Sequence, residues 1–210
     1  MKKFILFIAF VGCWATMSAQ YVSKRIDTYP YGFVQVGVGA STEVSNNNPL
    51  SPSFSLAVGA GISKEASARL QVTGLKQKTH FASVDKNLDF NYVNINADVL
   101  FNIINIFKAH YYGKIHPSLI VGVGYDYGWG YDEMFQTAKN YGVTEKIGSQ
   151  YDCVHAVNLR TGLLVDYIIN KDWNVGIEGT VAMLNDDFNG RIRDKNDKLL
   201  NVQAVLTYKF

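Results

Sequence analysis

With 210 residues the chain suits one domain, and a content of 48% hydrophobic and 18% charged residues excludes an intrinsically disordered protein. The formal net charge is only +2 and the body of the chain carries no basic stripe, which excludes nucleic acid as a natural partner. The 18 glycines, 13 tyrosines and 12 phenylalanines are conspicuous beside only 4 prolines.

The first element is a leader. "MKKFILFIAFVGCWATMSAQ" joins two lysines, a short apolar run and a small-residue exit, the pattern of a secretory signal peptide. The run is shorter than the roughly 20 apolar residues a spanning helix needs. Cleavage beside Ala19 assigns 1–19 to the signal, 20–30 to an N-terminal periplasmic lead and 31–210 to the body. Lipidation at Cys13 is the alternative, but Phe10 three places earlier fits it poorly. Loss of Lys2 and Lys3 leaves 18 basic against 18 acidic side chains. Cys153 then stands alone, so no internal disulfide can form.

After the leader no stretch sustains a helical period. Period two recurs in eight segments, 32–42, 53–63, 68–78, 92–106, 115–129, 154–168, 173–184 and 199–210. Most are about twice the usual globular strand of about 5–6 residues. Their connections alternate between long and short. "EVSNNNPLSP", "THFASVDKNLDFN", "GYDEMFQTAKNYGVTEKIGSQYDC" and "NDDFNGRIRDKND" are the long ones; "KEAS", "FKAHYYGK" and "NKD" are shorter. Short periplasmic turns and long extracellular loops give a membrane barrel that alternation, and an even strand count returns both ends to the periplasm.

Alternation alone does not say which face is inside. In "YVNINADVLFNI" Val93, Ile95, Ala97, Val99, Phe101 and Ile103 share one parity. Asn94, Asn96, Asp98 and Asn102 share the other, with Leu100 an exception. In "IHPSLIVGVGYDYGW" the second parity collects Ser118, Ile120, Gly122, Gly124, Asp126 and Gly128. Gly37, Gly39, Gly59, Gly61, Gly162 and Gly176 follow the same polar parity in their own segments. On a water-facing strand glycine wastes strand propensity. Within an eight-strand lumen, just wide enough to be filled with side chains, small residues make room for long charged ones. The polar parity is therefore read as lumen and the apolar parity as lipid-facing. The fold expected is all-β, an eight-stranded antiparallel transmembrane β-barrel.

The aromatic residues point the same way. Phe54, Tyr125, Tyr127 and Trp129 fall on the apolar parity at the external ends of their segments. Phe101, Tyr167, Trp173, Tyr208 and Phe210 fall on it near the periplasmic ends. Two belts at the bilayer interfaces are expected. In the closing "NVQAVLTYKF", Val202, Ala204, Leu206, Tyr208 and Phe210 alternate with Gln203, Thr207 and Lys209, and Val205 is an apolar exception. The terminal Phe210 with Tyr208 and Leu206 resembles the C-terminal signal by which outer-membrane proteins engage the barrel-assembly machinery.

Through "NADVLFNIINIF", "PSLIVGVGYDYGW" and "WNVGIEGTVAMLNDDFNG" the chain resembles the eight-stranded barrel family typified by the transmembrane domain of outer membrane protein A, in its Bacteroidota porin-family form. The resemblance loosely covers 31–210 and implies residence in the outer membrane of a Gram-negative bacterium. Members of that family continue into a peptidoglycan-binding domain, which is not expected here. Their motifs are diffuse, so the likeness informs fold and location more than activity.

Arg69, Asp98, Asp126, Arg160, Asp166 and Glu178 share the lumen parity, with Lys209. They are expected to form a charge network, centred on Arg160 and Glu178 with Arg69 and Asp98, that plugs the lumen. His80, His110, His116 and His155 show no metal spacing, and the glycine stretches lack the phosphate-binding pattern, so no metal or cofactor is expected. His155 has Cys153 on its face but no evident third partner, so no catalytic centre is expected. The expected role is structural or interactive at the cell envelope, among outer-membrane lipids and with an extracellular ligand held by the long loops. A narrow channel for ions or very small solutes is the alternative, and a lipid-modifying enzyme sited at the rim is third.

Overall fold

The computed structural model describes residues 29–44, 49–81, 85–108, 111, 113–141, 153–184 and 198–210. The signal peptide, Cys13, most of the 20–30 lead and His110 lie outside the described residues. Eight strands follow in chain order: β1 (Tyr31–Glu43), β2 (Ser51–Gly61), β3 (Ala66–Phe81), β4 (Lys86–Asn102), β5 (Ile115–Trp129), β6 (Cys153–Ile168), β7 (Trp173–Leu184) and β8 (Lys198–Lys209). Each pairs antiparallel with its sequence neighbour, and β8 returns to β1, so the sheet is a closed barrel. Phe33 faces Lys209 at one end of that seam and Glu43 faces Leu199 at the other. Phe210 extends it by exchanging two backbone hydrogen bonds with Gly32, both of 2.9 Å. Closure leaves no unpaired sheet edge along the barrel wall.

Strand existence and order follow the alternation, and the differences lie at the boundaries. The expected fourth strand runs on to Ile106, whereas β4 stops at Asn102 and a single helical turn, α1 (Ile103–Phe107), follows. The Asn102 side chain accepts a hydrogen bond from the Asn105 N–H at 2.9 Å, an N-cap that diverts the apolar run out of the sheet. The third and fourth strands also run further than expected, to Phe81 and from Lys86. Their pairing continues from Leu75 opposite Tyr92 up to Phe81 opposite Lys86, beyond the last β2 partner of β3 at Leu75. Leu75 has φ +146° and an exposed side chain, although its parity is that of the lumen. Beyond that twist side chains hold the hairpin to the barrel: the Ser41 hydroxyl donates to Gln77 Oε1 at 2.8 Å and the Lys78 N–H donates to Ser51 Oγ at 2.8 Å.

The longest connection contains a helix that periodicity does not reveal, α2 (Asp132–Tyr141). Asp132 and Glu133 in its first turn and Lys139 in its last oppose the helix dipole favourably. Glu133 is tied to the β3–β4 hairpin through Lys86 at 2.9 Å. At the short-turn end, Ser63 organises the β2–β3 connection. Its hydroxyl donates to Glu65 Oε2 at 2.8 Å and accepts from the Glu65 and Ala66 N–H groups at 3.2 Å each. The Ser63 hydrogen bond holds the Glu65 carboxyl below its ordinary range.

Burial has the sense opposite to a soluble protein. Gln35, Arg69, Gln71, Asn96, Asp98, Asp126, Arg160, Glu178 and Gln203 are buried, while Val36, Leu56, Leu70, Val121, Leu159 and Ile177 are exposed. The molecule is polar inside and apolar outside.

Candidate functional site in the lumen and on the outer face

The lumen is built in layers, because side chains at every second position of all eight strands converge on the axis. At the long-loop end sits an apolar plug of Leu88, Phe90, Tyr92, Tyr131, Ala156, Ala182, Leu184 and Leu199. Phe90 stacks on Tyr131 with centroids 5.1 Å apart, so the residue just before α2 helps to close the mouth. Sequence reading does not find this plug. Leu88 and Phe90 fall in an expected connection, yet they continue the lumen parity of Asn94 and Asn96.

Next comes a polar layer. Asp126 accepts hydrogen bonds from Asn94 Nδ2 at 2.5 Å and from Asn158 Nδ2. On the other wall Ser53 Oγ accepts from Gln203 Nε2 at 2.7 Å, and the Ser55 hydroxyl donates to Gln203 Oε1 at 2.6 Å.

Mid-lumen, the structure brings four charges together. Arg69 is directly opposite Asp98 in the β3–β4 register and its Nε donates to Asp98 Oδ2 at 2.9 Å. Its guanidinium also reaches across the barrel to β7, donating to Glu178 through Nη1 at 2.7 Å and Nη2 at 3.0 Å. Arg160 Nη2 donates to the same carboxylate at 2.6 Å, and its Nη1 lies 3.9 Å from Asp98 Oδ2. The side chains of all four are at most 4% exposed. Gln35 and Gln71 complete the shell, accepting from Arg69 at 2.5 Å and donating to Glu178 at 3.4 Å. Two positive and two negative charges thus cancel, with the Arg69 fork set bidentate on the Glu178 carboxylate.

Two of the six charges expected in the network stand apart from it. Asp126 lies in the asparagine layer just described, one step nearer the long loops. Asp166 lies at the short-turn end, and among the described residues no ion pair includes it. Both occupy lumen positions, but strand position along the axis, which parity does not encode, separates them from the quartet.

Beneath the quartet Leu100, Ile120, Leu164 and Val205 form a second apolar layer. Leu100 and Val205 are the exceptions to alternation in β4 and β8, and Ile120 sits among the polar residues of β5. Taken one strand at a time they are irregularities; around the barrel they are one layer.

Glycine supplies the room. A Cβ at Gly122 would come within 2.2 Å of Asp98 Oδ1, and one at Gly59 within 2.8 Å of the Arg69 Cβ. The charged side chains occupy the space that those residues leave.

On the outer face Phe54, Tyr125, Tyr127 and Trp129 are exposed toward the long-loop end, and Phe101, Tyr167, Trp173, Tyr208 and Phe210 toward the short-turn end. Tyr127 stacks on Trp129 with centroids 5.5 Å apart, and Trp173 meets Tyr208 at 4.9 Å. The upper ring also contains the Cys153–His155 pair. Cys153 Sγ lies 3.7 Å from His155 Nε2, and His155 Nδ1 meets the Tyr125 hydroxyl, a neighbour contributed by the adjacent strand that sequence reading does not supply. His116, at the other end, faces Asn102 Nδ2 at 3.0 Å and the Gly113 carbonyl at 2.9 Å.

No protein-family model matches the chain, and neither does any curated protein. Solved structures do. A major outer membrane protein from Thermus thermophilus aligns with a TM-score of 0.57 at 12% identity, over 87% of this chain and 100% of that one. Neisserial surface protein A aligns with a TM-score of 0.55 at 12% identity, over 87% and 98%. The outer membrane protein OprG of Pseudomonas aeruginosa aligns at 0.51 and 14% identity, over 86% and 96%. The fold is that of an outer-membrane β-barrel. At such identities the likeness is one of fold, and an outer-membrane barrel of this kind hosts more than one role. Its apolar exterior matches the lipid-facing band such barrels present.

Proposed function

We propose that the chain is an integral outer-membrane protein of a Gram-negative bacterium whose barrel is a closed structural element, presenting its long loops for interaction at the surface. The observation that supports this reading is a lumen filled with side chains. The Arg69–Asp98–Arg160–Glu178 quartet spans the barrel from β3 to β7, with an apolar layer on either side of it along the axis. In this reading an ion crossing the barrel would have to pass both apolar layers and the quartet between them. Insertion into lipid is supported by the exposed apolar band, since a soluble monomer rarely exposes a contiguous apolar patch beyond a few hundred Å². In this reading the aromatic rings at the two ends sit at the bilayer interfaces. Phe210, Tyr208 and Leu206, on the strand that closes the barrel, present the assembly signal to the barrel-assembly machinery.

The barrel is assigned no catalytic centre and no cofactor. Its interaction surface is the long-loop end, which carries the β3–β4 hairpin and α2. The test is functional closure. Purified barrel, shown folded by heat-modifiable electrophoretic migration, should give no single-channel steps in planar bilayers and no swelling of liposomes in small solutes. Regular conductance steps would replace this reading with the narrow channel. A change in lipid A mass on expression would replace it with the lipid-modifying enzyme.

A further inference from the structure

Below the Leu100–Ile120–Leu164–Val205 layer the lumen widens into a chamber of about 80 Å³ at the short-turn end. Leu100 and Leu164 belong both to that layer and to the chamber wall, so the chamber is blind toward the quartet. Its volume exceeds what a single water needs, roughly 10–15 Å³ on the same measure.

Two acceptors in this wall have no hydrogen-bond partner among the described residues: Asp166 Oδ1 on β6 and Asn174 Oδ1 on β7, both buried atoms. Asn174 is only 4% exposed. Asp166 is opposite Gly176 and Asn174 opposite Ile168, so the two are diagonal neighbours on the lumen face. Gly176 keeps the space beside the carboxylate free, because a Cβ there would lie 2.6 Å from Asp166 Oδ1. The aromatic side of the chamber is Tyr31 and Phe33, with ring centroids 6.4 Å apart. Lys209 Nζ already lies 5.1 Å from the Tyr31 ring centroid, so this wall accepts an ammonium group.

Asp166 Oδ1 and Asn174 Oδ1, left without donors although Lys64, His116 and Lys209 line the same chamber, call for a ligand that carries positive charge and N–H groups. One carboxylate and one amide are too few for calcium, which takes six to eight oxygens. We propose that this chamber binds a small organic cation, an alkylammonium or guanidinium group, with Asp166 and Asn174 as its acceptors and the Tyr31–Phe33 wall against its alkyl part. The group can come from a free amine or from the ethanolamine headgroup of a phospholipid. This inference rests on the barrel's blind lumen and not on its surface role.

The test uses the folded chain in dodecyl maltoside, with n-butylammonium as probe and tetramethylammonium as a cation without N–H. Titration calorimetry should show saturable n-butylammonium binding, weakened at least about tenfold by D166N and by N174A. Tetramethylammonium should bind much more weakly, and D126N, in the other polar layer, should bind as wild type. A second arm compares nanodiscs of phosphatidylcholine with nanodiscs containing phosphatidylethanolamine. Loss of probe binding only in the latter assigns the site to the lipid headgroup; retention in both assigns it to the free amine. No saturable binding in detergent or phosphatidylcholine overturns the proposal, as does equal binding of tetramethylammonium or an unaffected D166N. Electrophoretic mobility reports folding for each variant, and N174A carries the test if D166N does not fold. Folded, non-conducting protein without binding leaves the closed-barrel reading intact and removes only the ligand.

Discussion

The ionic quartet of Arg69, Asp98, Arg160 and Glu178 and the apolar quartet of Leu100, Ile120, Leu164 and Val205 occupy neighbouring layers of one lumen and fill it by different physics. The first works by reach. Arg69 bridges opposite strands because a guanidinium on a long stem can bond two carboxylates at once. The second works by shape, with four branched side chains excluding water over a short distance. Each helps the other: the apolar layer keeps water from one side of the ion pairs, and low local polarity strengthens correctly paired charges. It also makes any unpaired charge expensive.

That dependence can be broken at Glu178, which accepts from both arginines. Glu178→Ala leaves Arg69 and Arg160 with Asp98 alone, and removing one partner of a buried pair costs about 3–5 kcal/mol. Urea unfolding of the barrel in lipid vesicles should show a loss of that size. The double variant R160M/E178L removes one charge of each sign and keeps the Arg69–Asp98 pair, so it should recover most of the loss. A single-variant loss below about 1 kcal/mol, the range of exposed pairs, would mean that the quartet is hydrated and the lumen open. In the apolar layer Ile120→Ala should cost about 2–5 kcal/mol by cavity formation. R160M/E178L should restore nothing when combined with it, since the apolar loss is not one of charge.

The two layers also differ in how far they can be read beforehand. The charges stand out in sequence because each sits at the polar parity of its segment. The apolar layer is hidden, since Leu100, Ile120 and Val205 each look like a lapse in an otherwise regular strand. Only the register, which aligns positions from four strands at one height, turns lapses into a layer. The same limit separates Asp126 and Asp166 from the quartet. Strand order and inward parity come from alternation, which repeats over many residues and tolerates local exceptions. Helix α1 escapes the pattern because one asparagine cap, Asn102, outweighs an apolar run that suits a strand. The approach of Tyr125 to His155 depends on the β5–β6 register, which no single segment contains.

The contrast between inside and outside is sharpened by neighbours in sequence. Ile120 is fully buried in the lumen and Val121, the next residue on β5, is 48% exposed on the outer face. If that face meets lipid, Val121→Lys near mid-strand costs about 2–4 kcal/mol in a bilayer. Unfolding measured in vesicles should show this loss. A neutral result in vesicles would place Val121 in water and remove the membrane from the account.

The smallest effect separates two glycines by what surrounds them. Gly122 faces the lumen, where a Cβ would lie 2.2 Å from Asp98 Oδ1 and 2.8 Å from the Ala97 carbonyl oxygen. The carboxylate cannot simply turn away, because its Oδ2 accepts from Arg69 at 2.9 Å. Gly122→Ala must therefore displace a charge that the quartet uses, and overpacking of this kind costs about 1–3 kcal/mol. Gly179 on β7 offers the control, since nothing lies within 4 Å of a Cβ built there. Gly179→Ala should change stability by less than about 0.5 kcal/mol, as substitutions away from packed features do. Combining G122A with E178A should give less than the sum of the two, because the first acts by disturbing pairs that the second has already removed. Strict additivity would mean that Gly122 makes room for something other than the ion pairs, and the ionic layer would then owe nothing to the glycine pattern that drew attention to the lumen.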